Sequence, residues 1–275
     1  VPRPGGTALD DAVAVATATP VLVGGHESGG AERLRPLVEG KPGWRAVGPG
    51  RELVSAVATA LAESDRPVCV IPMTLGRNPR LIADTARTLR WLSAPANSGR
   101  LALTDPFGGP EHLIGWLRGG TGRALAPTDE GTARPAEPAA VLLTAPAAGP
   151  FEDAELFRIA RLVRQYRTHR WVEVAFESGD PSIAEGVERC RLLGARRVVL
   201  LPAAFGAALL VPGAEDGGPL LSGHAVAGVL RARVAAAVQR LHHGVDGIAA
   251  GLVAEHGHGF PHSHTSDNSQ PAHHH

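Results

Sequence analysis

Short apolar runs alternate with longer segments of helical period along most of this chain, and each run is ended by Gly, Pro or an acidic turn. Residues 171–176 (WVEVAF) alternate apolar and polar positions as a strand does. Asp180-Pro181-Ser182 then opens a helix, with Ser182 as N-cap and Glu185 three residues later completing a capping box. That helix ends near Gly194, and residues 198–201 read as a buried strand running into Pro202. The segment is a β-α-β unit whose second strand is parallel to its first. The same reading predicts strands at 21–23, 45–47, 68–71, 101–104 and 141–144. It predicts helices at 31–38, 51–63, 81–92, 111–117, 152–167 and 225–241, and a last strand at 248–252.

Two successive βαβα halves follow from this order: a lead-in over 1–19, a first half over 20–118 and a second over 139–255. Residues 119–138 are rich in Gly, Pro, Thr and Ala and read as a linker. Matching strand 21–23 with 141–144, and 68–72 with 198–202, suggests an internal duplication. The expected fold class is α/β, two similar parallel-sheet halves with a cleft between them. Ligands of open parallel sheets sit beyond the carboxyl ends of the strands, so the loops there are where chemistry belongs. Residues 256–275 are polar, punctuated by Gly and Pro, and hold seven of the 13 histidines; a disordered tail is expected.

Lys plus Arg and Asp plus Glu both number 27, which removes the electrostatic basis for general nucleic-acid binding. The hydrophobic fraction is 44%, yet no apolar run has the length of a membrane span, and no basic-then-apolar leader opens the sequence. A soluble, cytoplasmic protein is expected. Cys69 and Cys190 both lie in apolar contexts and read as buried free thiols; no Cys-x-x-Cys exists to hold zinc or an iron–sulfur cluster. The glycine stretch GGHESGG is neither a Walker loop nor a G-x-G-x-x-G fingerprint, so no nucleotide and no organic cofactor is implied.

His26 follows a strand and sits in that glycine-rich loop. Imidazole titrates near neutrality and binds Co²⁺, Fe²⁺ and Ni²⁺, so it suits both proton acceptance and metal transfer. Gly24, Gly25, Gly29 and Gly30 would let backbone amides approach an anionic ligand. Glu27 and Glu111 are candidate helpers. His112 precedes a helix at the end of the first half, and His224 begins the long helix of the second; for both, capping or packing is the weightier reading. His242 and His243 end that helix, where cations favour the negative pole, and His169 reads as a turn residue. His256, His258, His262 and His264 fall within nine residues and allow flexible multidentate capture of a divalent metal. His273, His274 and His275 also fit the end of an affinity tag.

The wording of 171–202, WVEVAFESGDPSIAEGVERCRLLGARRVVLLP, resembles the sirohydrochlorin chelatases of the CbiX/SirB type, and the likeness extends over most of residues 20–241. VLVGGHESGG stands where that family has its first strand and loop, so the resemblance puts the metal-inserting histidine on His26. VIPMTLGRNPRLIAD (70–84) is similar to a further family segment, with Leu75, Gly76, Arg77 and Asp84 in register. TDPFGGPEHL (104–113), residues 142–162 and residues 220–238 match as well, placing His224 on a family histidine. The resemblance implies insertion of Co²⁺ or Fe²⁺, with Ni²⁺ third, into sirohydrochlorin, towards cobalamin or siroheme. It implies a site of His26, with Gly25, Ser28, Arg77, Arg80 and His112 against the macrocycle and His256, His258, His262 and His264 supplying metal.

The departures from the family are local. Its second active-site histidine falls on Arg80, a permanent cation that is neither metal ligand nor proton acceptor; an arginine there either grips a macrocycle carboxylate or is a surface residue. Residues 145–149 (APAAG) and 202–206 (PAAFG) have lost the polar and aromatic groups of the family loops, and a terminal cysteine motif is absent. A non-catalytic tetrapyrrole or metal carrier is therefore the second reading, and metal storage by the histidine tail the third.

Overall fold

The computed structural model describes residues 17–126, 138–165 and 171–254. Strands β1 (Thr19–Gly24), β2 (Arg45–Val47), β3 (Val68–Met73) and β4 (Leu101–Leu103) form a parallel sheet in the order β2-β1-β3-β4. Strands β5 (Ala139–Ala145), β6 (Trp171–Phe176), β7 (Arg197–Pro202) and β8 (Glu215–Asp216) form a second in the order β6-β5-β7-β8. The two orders are the same when the second set is read in parallel with the first. β1 thus matches β5, and β3 matches β7, as the sequence reading paired them. β6 and β7 are parallel, but both flank β5 and do not touch each other.

Helices α1 (Arg35–Val38), α2 (Arg51–Glu63), α3 (Pro79–Leu92) and α4 (Pro110–Ala124) belong to the first half of the chain. Helices α5 (Pro150–Gln165), α6 (Ile183–Leu192), α7 (Gly223–His242) and α8 (Ile248–Leu252) belong to the second. Starts are set by local chemistry. Asn78 caps α3 by accepting from the Leu81 N–H at 3.1 Å, and the Ser182–Glu185 capping box of α6 forms as expected. Successive strand residues face opposite layers: Val21, Val23, Val68 and Val70 pack under α2 and α3, while Leu22, Cys69, Ile71 and Met73 face the core shared by both halves. With both faces covered, the strands read as continuous apolar runs. Cys69 and Cys190 are free and buried, and burial pushes their thiols up to about 12 and about 11.

The last long helix of each half packs on the sheet of the other. α4 lies against β7, and α7 lies against β3 and β4. One continuous core results, running from Leu22, Ile71 and Phe107 through Leu117 and Val234 to Leu143 and Leu201. The approach of α4 to β7 requires Gly120, since a Cβ there would sit 2.9 Å from the Leu201 side chain. This packing explains one correction: residues 119–124, expected as linker, continue α4, because Gly120 and Thr121 are buried against the second half.

The expected strand at 248–252 is helix α8. A five-residue apolar run does not distinguish strand from helix. Gly247 turns the chain with φ 77°, Asp246 Oδ1 accepts from the Ile248 N–H at 2.9 Å, and Gly251 fits between Leu103 and Ala86. Residues 31–38 are likewise a 3₁₀ turn (Glu32–Leu34) followed by α1, not one helix. His169, the lead-in over 1–16 and the tail over 256–275 lie outside the described residues. Among the described residues no helix is long and apolar enough to cross a membrane.

Gly120→Val is expected to lower stability by about 1–3 kcal/mol through overpacking against Leu201, seen as a lower midpoint in urea unfolding.

Candidate active site

The loop after β1 is held by its own backbone. His26–Ser28 forms a 3₁₀ turn closed by Gly29 in the left-handed region. The Gly25 carbonyl accepts from the Ser28 N–H at 3.1 Å and from the Gly30 N–H at 2.9 Å. A Cβ on Gly24 would lie 1.8 Å from the Gly30 carbonyl oxygen, so the loop closes only over glycine. The Ser28 hydroxyl is buried and donates to the Gly30 oxygen at 2.6 Å. It locks the loop and does not face a ligand space. Gly25 is half-buried against Asn78.

His26 is half-buried, and its Nε2 is buried without a hydrogen-bond partner. Burial, and then the charge of Arg77, hold its pKa down at about 4. The imidazole is therefore neutral throughout the physiological range. Glu27 points the other way, into the core, at 0% exposure. Its Oε2 accepts from the Thr74 hydroxyl and from the Leu75 N–H at 3.1 Å, while Oε1 has no partner. Burial raises its pKa, and the Arg77 charge opposes that shift.

Arg77 is 1% exposed. Its Nε donates to the Glu152 carbonyl at 3.2 Å and one terminal nitrogen donates to Asp153 Oδ1 at 3.2 Å, leaving Nη1 buried and unpartnered. Asp153 also accepts from the Ala148 N–H at 3.0 Å, which fixes the turn into α5. The guanidinium expected to grip substrate is thus a strut from the loop after β3 to the first turn of α5. Burial lowers its pKa, countered by Glu27 and Asp153.

Arg80 and His112 stand on the first turns of α3 and α4, both exposed. Their helices start at the carboxyl ends of β3 and β4, and the intervening loops touch: a Cβ on Gly76 would meet the Gly109 carbonyl carbon at 2.4 Å. His112 Nδ1 accepts from the Gly109 N–H at 3.2 Å and its ring lies 5.6 Å from Trp116, a capping and packing role. Glu111 is exposed beside it. His224 is exposed in the first turn of α7, where Ser222 supplies the cap by accepting from the Ala225 N–H at 3.2 Å. The structure therefore brings His26, Glu27 and Arg77 together and leaves Arg80 and His112 on a rim. Thr74 and Asp153 carry no motif and escaped sequence reading. His256, His258, His262 and His264 lie outside the described residues, among which no group of three or more His, Cys, Asp or Glu side chains converges as a metal cage.

The second half closes on this loop. The Phe205 N–H donates to the Glu27 carbonyl at 2.9 Å, and Arg33 bridges the Phe205 carbonyl at 3.4 Å and the Glu177 carboxylate. Between the halves lies a cavity of about 40 Å³ lined by Leu75, Phe205, Leu220 and Val226 among others.

Arg77→Ala is expected to cost about 3–5 kcal/mol in chemical denaturation, because it strips a buried carboxylate of its compensating charge. The His26 imidazole contributes stability that is complete above its unfolded pKa of 6.5 and is lost as pH falls from 6.5 towards about 4. The stability difference between wild type and His26→Gln should therefore shrink across that window and level off below it. A difference that is flat with pH would contradict a depressed His26.

Residues 149–213 match the CbiX family model. They run from the turn into α5, with the Glu152 and Asp153 partners of Arg77, through Phe205; His26 lies before them. A sirohydrochlorin cobaltochelatase from Priestia megaterium is 39% identical over 80 residues, 28% of this chain and 26% of that protein. The match spans about a quarter of the length of that curated relative. Among solved structures, SirB from Bacillus subtilis with Fe³⁺ is 15% identical and covers 81% of this chain and 96% of its own, at a TM-score of 0.48. The sirohydrochlorin chelatase SirB from Bacillus subtilis subspecies spizizenii in complex with cobalt is 14% identical, covering 79% and 92%, at 0.46. Over the segment from the turn into α5 to the loop after β7, the chain is similar to the CbiX family.

Proposed function

We propose that this protein inserts a divalent metal, Co²⁺ or Fe²⁺, into sirohydrochlorin. The observation that carries the reading is the buried, unpartnered Nε2 of His26 at the carboxyl end of β1. A buried polar atom without a protein partner costs free energy and calls for an explanation, of which a bound ion or a catalytic role is one. The family segment and the sirohydrochlorin relative supply the substrate class.

Metal insertion replaces two pyrrole protons by one M²⁺, so the protein must deliver the ion and hold the ring. Of the two roles open to His26, its environment favours the first. A pKa of about 4 makes it a weak proton acceptor but leaves it unprotonated and ready to bind a metal ion at neutral pH. The metal enters as substrate. Arg80, exposed on the first turn of α3, is assigned to a macrocycle carboxylate, since an arginine fork suits that partner and cannot replace an imidazole ligand. Arg77 is assigned a different task from the one its register suggested: it holds α5 and the β3 loop in place around His26.

The second reading, a carrier that binds tetrapyrrole or metal without turnover, is favoured by one feature: Arg80 stands where the resemblance expects a second imidazole. An anaerobic absorbance assay with sirohydrochlorin and Co²⁺ or Fe²⁺ separates the two. Insertion should run well above the uncatalysed rate and fall by about 10²-fold or more in His26→Ala. Tetrapyrrole binding without acceleration would establish the carrier instead. Arg80→Ala should raise the KM for sirohydrochlorin with less effect on kcat, and an unchanged KM would remove Arg80 from the substrate contact.

A further inference from the structure

Away from the cleft between the halves, the outer edge of the first sheet gathers a second set of ionisable groups. Along α2, Arg51, Ser55 and Thr59 recur every four residues and share one stripe of the helix. On β2, Arg45 and Val47 alternate with Ala46 and take the face that α2 covers, since Val47 packs in the same cluster as Leu53 and Val57. β2 is the outermost strand of its sheet, so its far flank is open. These side chains, together with Arg35 of α1, line one groove of about 620 Å³. Small-molecule sites are of that size, about 300–1,000 Å³.

The charges of the groove indicate what it takes. Three arginines line it against one carboxylate, Glu52, and that carboxylate is engaged: its Oε2 accepts from the Gly48 N–H at 2.7 Å. Arg45 pairs with Glu63 at 2.5 Å and donates to the Gly43 carbonyl at 2.9 Å. The exposed side chains of Arg35 and Arg51 have no ion pair or hydrogen bond among the described residues. Like charges gathered in one groove repel one another and focus a positive field that an anion relieves. Guanidinium forks bind the oxygens of phosphate and carboxylate in pairs, and the hydroxyls of Ser55 and Thr59 add donors. A second copy of the chain would bring the same arginines, and the three residues of β2 offer little edge for a partner strand. We propose that this groove binds a small molecule carrying two or more phosphate or carboxylate groups, held by Arg35, Arg45 and Arg51. It shares no residue with the His26 loop, the Arg77 strut or the cavity between the halves. The inference goes beyond the metal-insertion reading and does not depend on it.

The test is isothermal titration calorimetry of the full chain at low ionic strength with inorganic pyrophosphate and, separately, with citrate. Wild type is expected to bind one equivalent, and the double variant Arg35→Gln, Arg51→Gln to bind about tenfold more weakly or worse. The tighter of the two anions tells whether phosphate or carboxylate groups are recognised. A control double variant, Arg66→Gln with Arg90→Gln, removes the same charge at two exposed positions elsewhere in the first half and should keep wild-type affinity. Thermal melts of both variants should match wild type. If neither anion binds wild type, there is no such site. If the control loses as much affinity as the groove variant, the attraction is one of overall charge and the proposal falls. Sirohydrochlorin added as a competitor is expected to leave pyrophosphate bound; displacement would make the groove part of the macrocycle site and overturn a separate one.

Discussion

The Arg77 guanidinium, buried between two carboxylates from opposite halves of the molecule, is the interaction on which the site geometry depends. Asp153 pairs with it at 3.2 Å from the first turn of α5, and the buried Glu27 carboxylate on the loop after β1 acts on it through its charge. A buried cation is costly unless its charge is answered by nearby carboxylates. Satisfying Arg77 therefore fixes the distance between the halves, the turn of the β3 loop and the orientation of the 3₁₀ turn that carries His26. Thr74 and the Leu75 N–H complete the arrangement by taking up one oxygen of Glu27. Three polar atoms remain unanswered in this region: Nε2 of His26, Oε1 of Glu27 and Nη1 of Arg77.

The exchange of long helices gives this ionic centre a rigid setting. Because α4 packs on β7 and α7 on β3 and β4, neither half buries its own sheet alone. The halves repeat one strand order, yet they are joined through one core. Arg240 to Asp105 at 2.9 Å and the Leu103 N–H to the Asp246 carbonyl at 2.8 Å tie the end of the described chain back to the first sheet. The candidate site thus sits where two similar units meet, with different chemistry on the two sides: ionisable groups from the first half, apolar loops from the second.

The family match falls wholly within the second half, while the imidazole that carries the functional reading lies in the first. The two are connected physically. Glu152 and Asp153, at the start of the matched segment, hold Arg77, and Arg77 sets the field at His26. Phe205, near the end of the segment, donates to the carbonyl of Glu27.

Local order was legible in the sequence. Strand runs, the Ser182–Glu185 capping box, the repeat of β1 and β3 in β5 and β7, and His26 at the end of a strand all follow from nearest-neighbour chemistry and period. A resemblance in wording also pointed to Arg77, but as a substrate contact. What tertiary structure alone decided is which of these groups are exposed. Arg77 and Ser28 are inside, Arg80 and His112 are outside, residues 119–124 are helix because β7 covers them, and 248–252 are helix because α3 and Leu103 do. Burial and partnership depend on residues distant in the chain, such as Asp153 for Arg77 and Leu201 for Gly120, and no local pattern encodes a contact of that range.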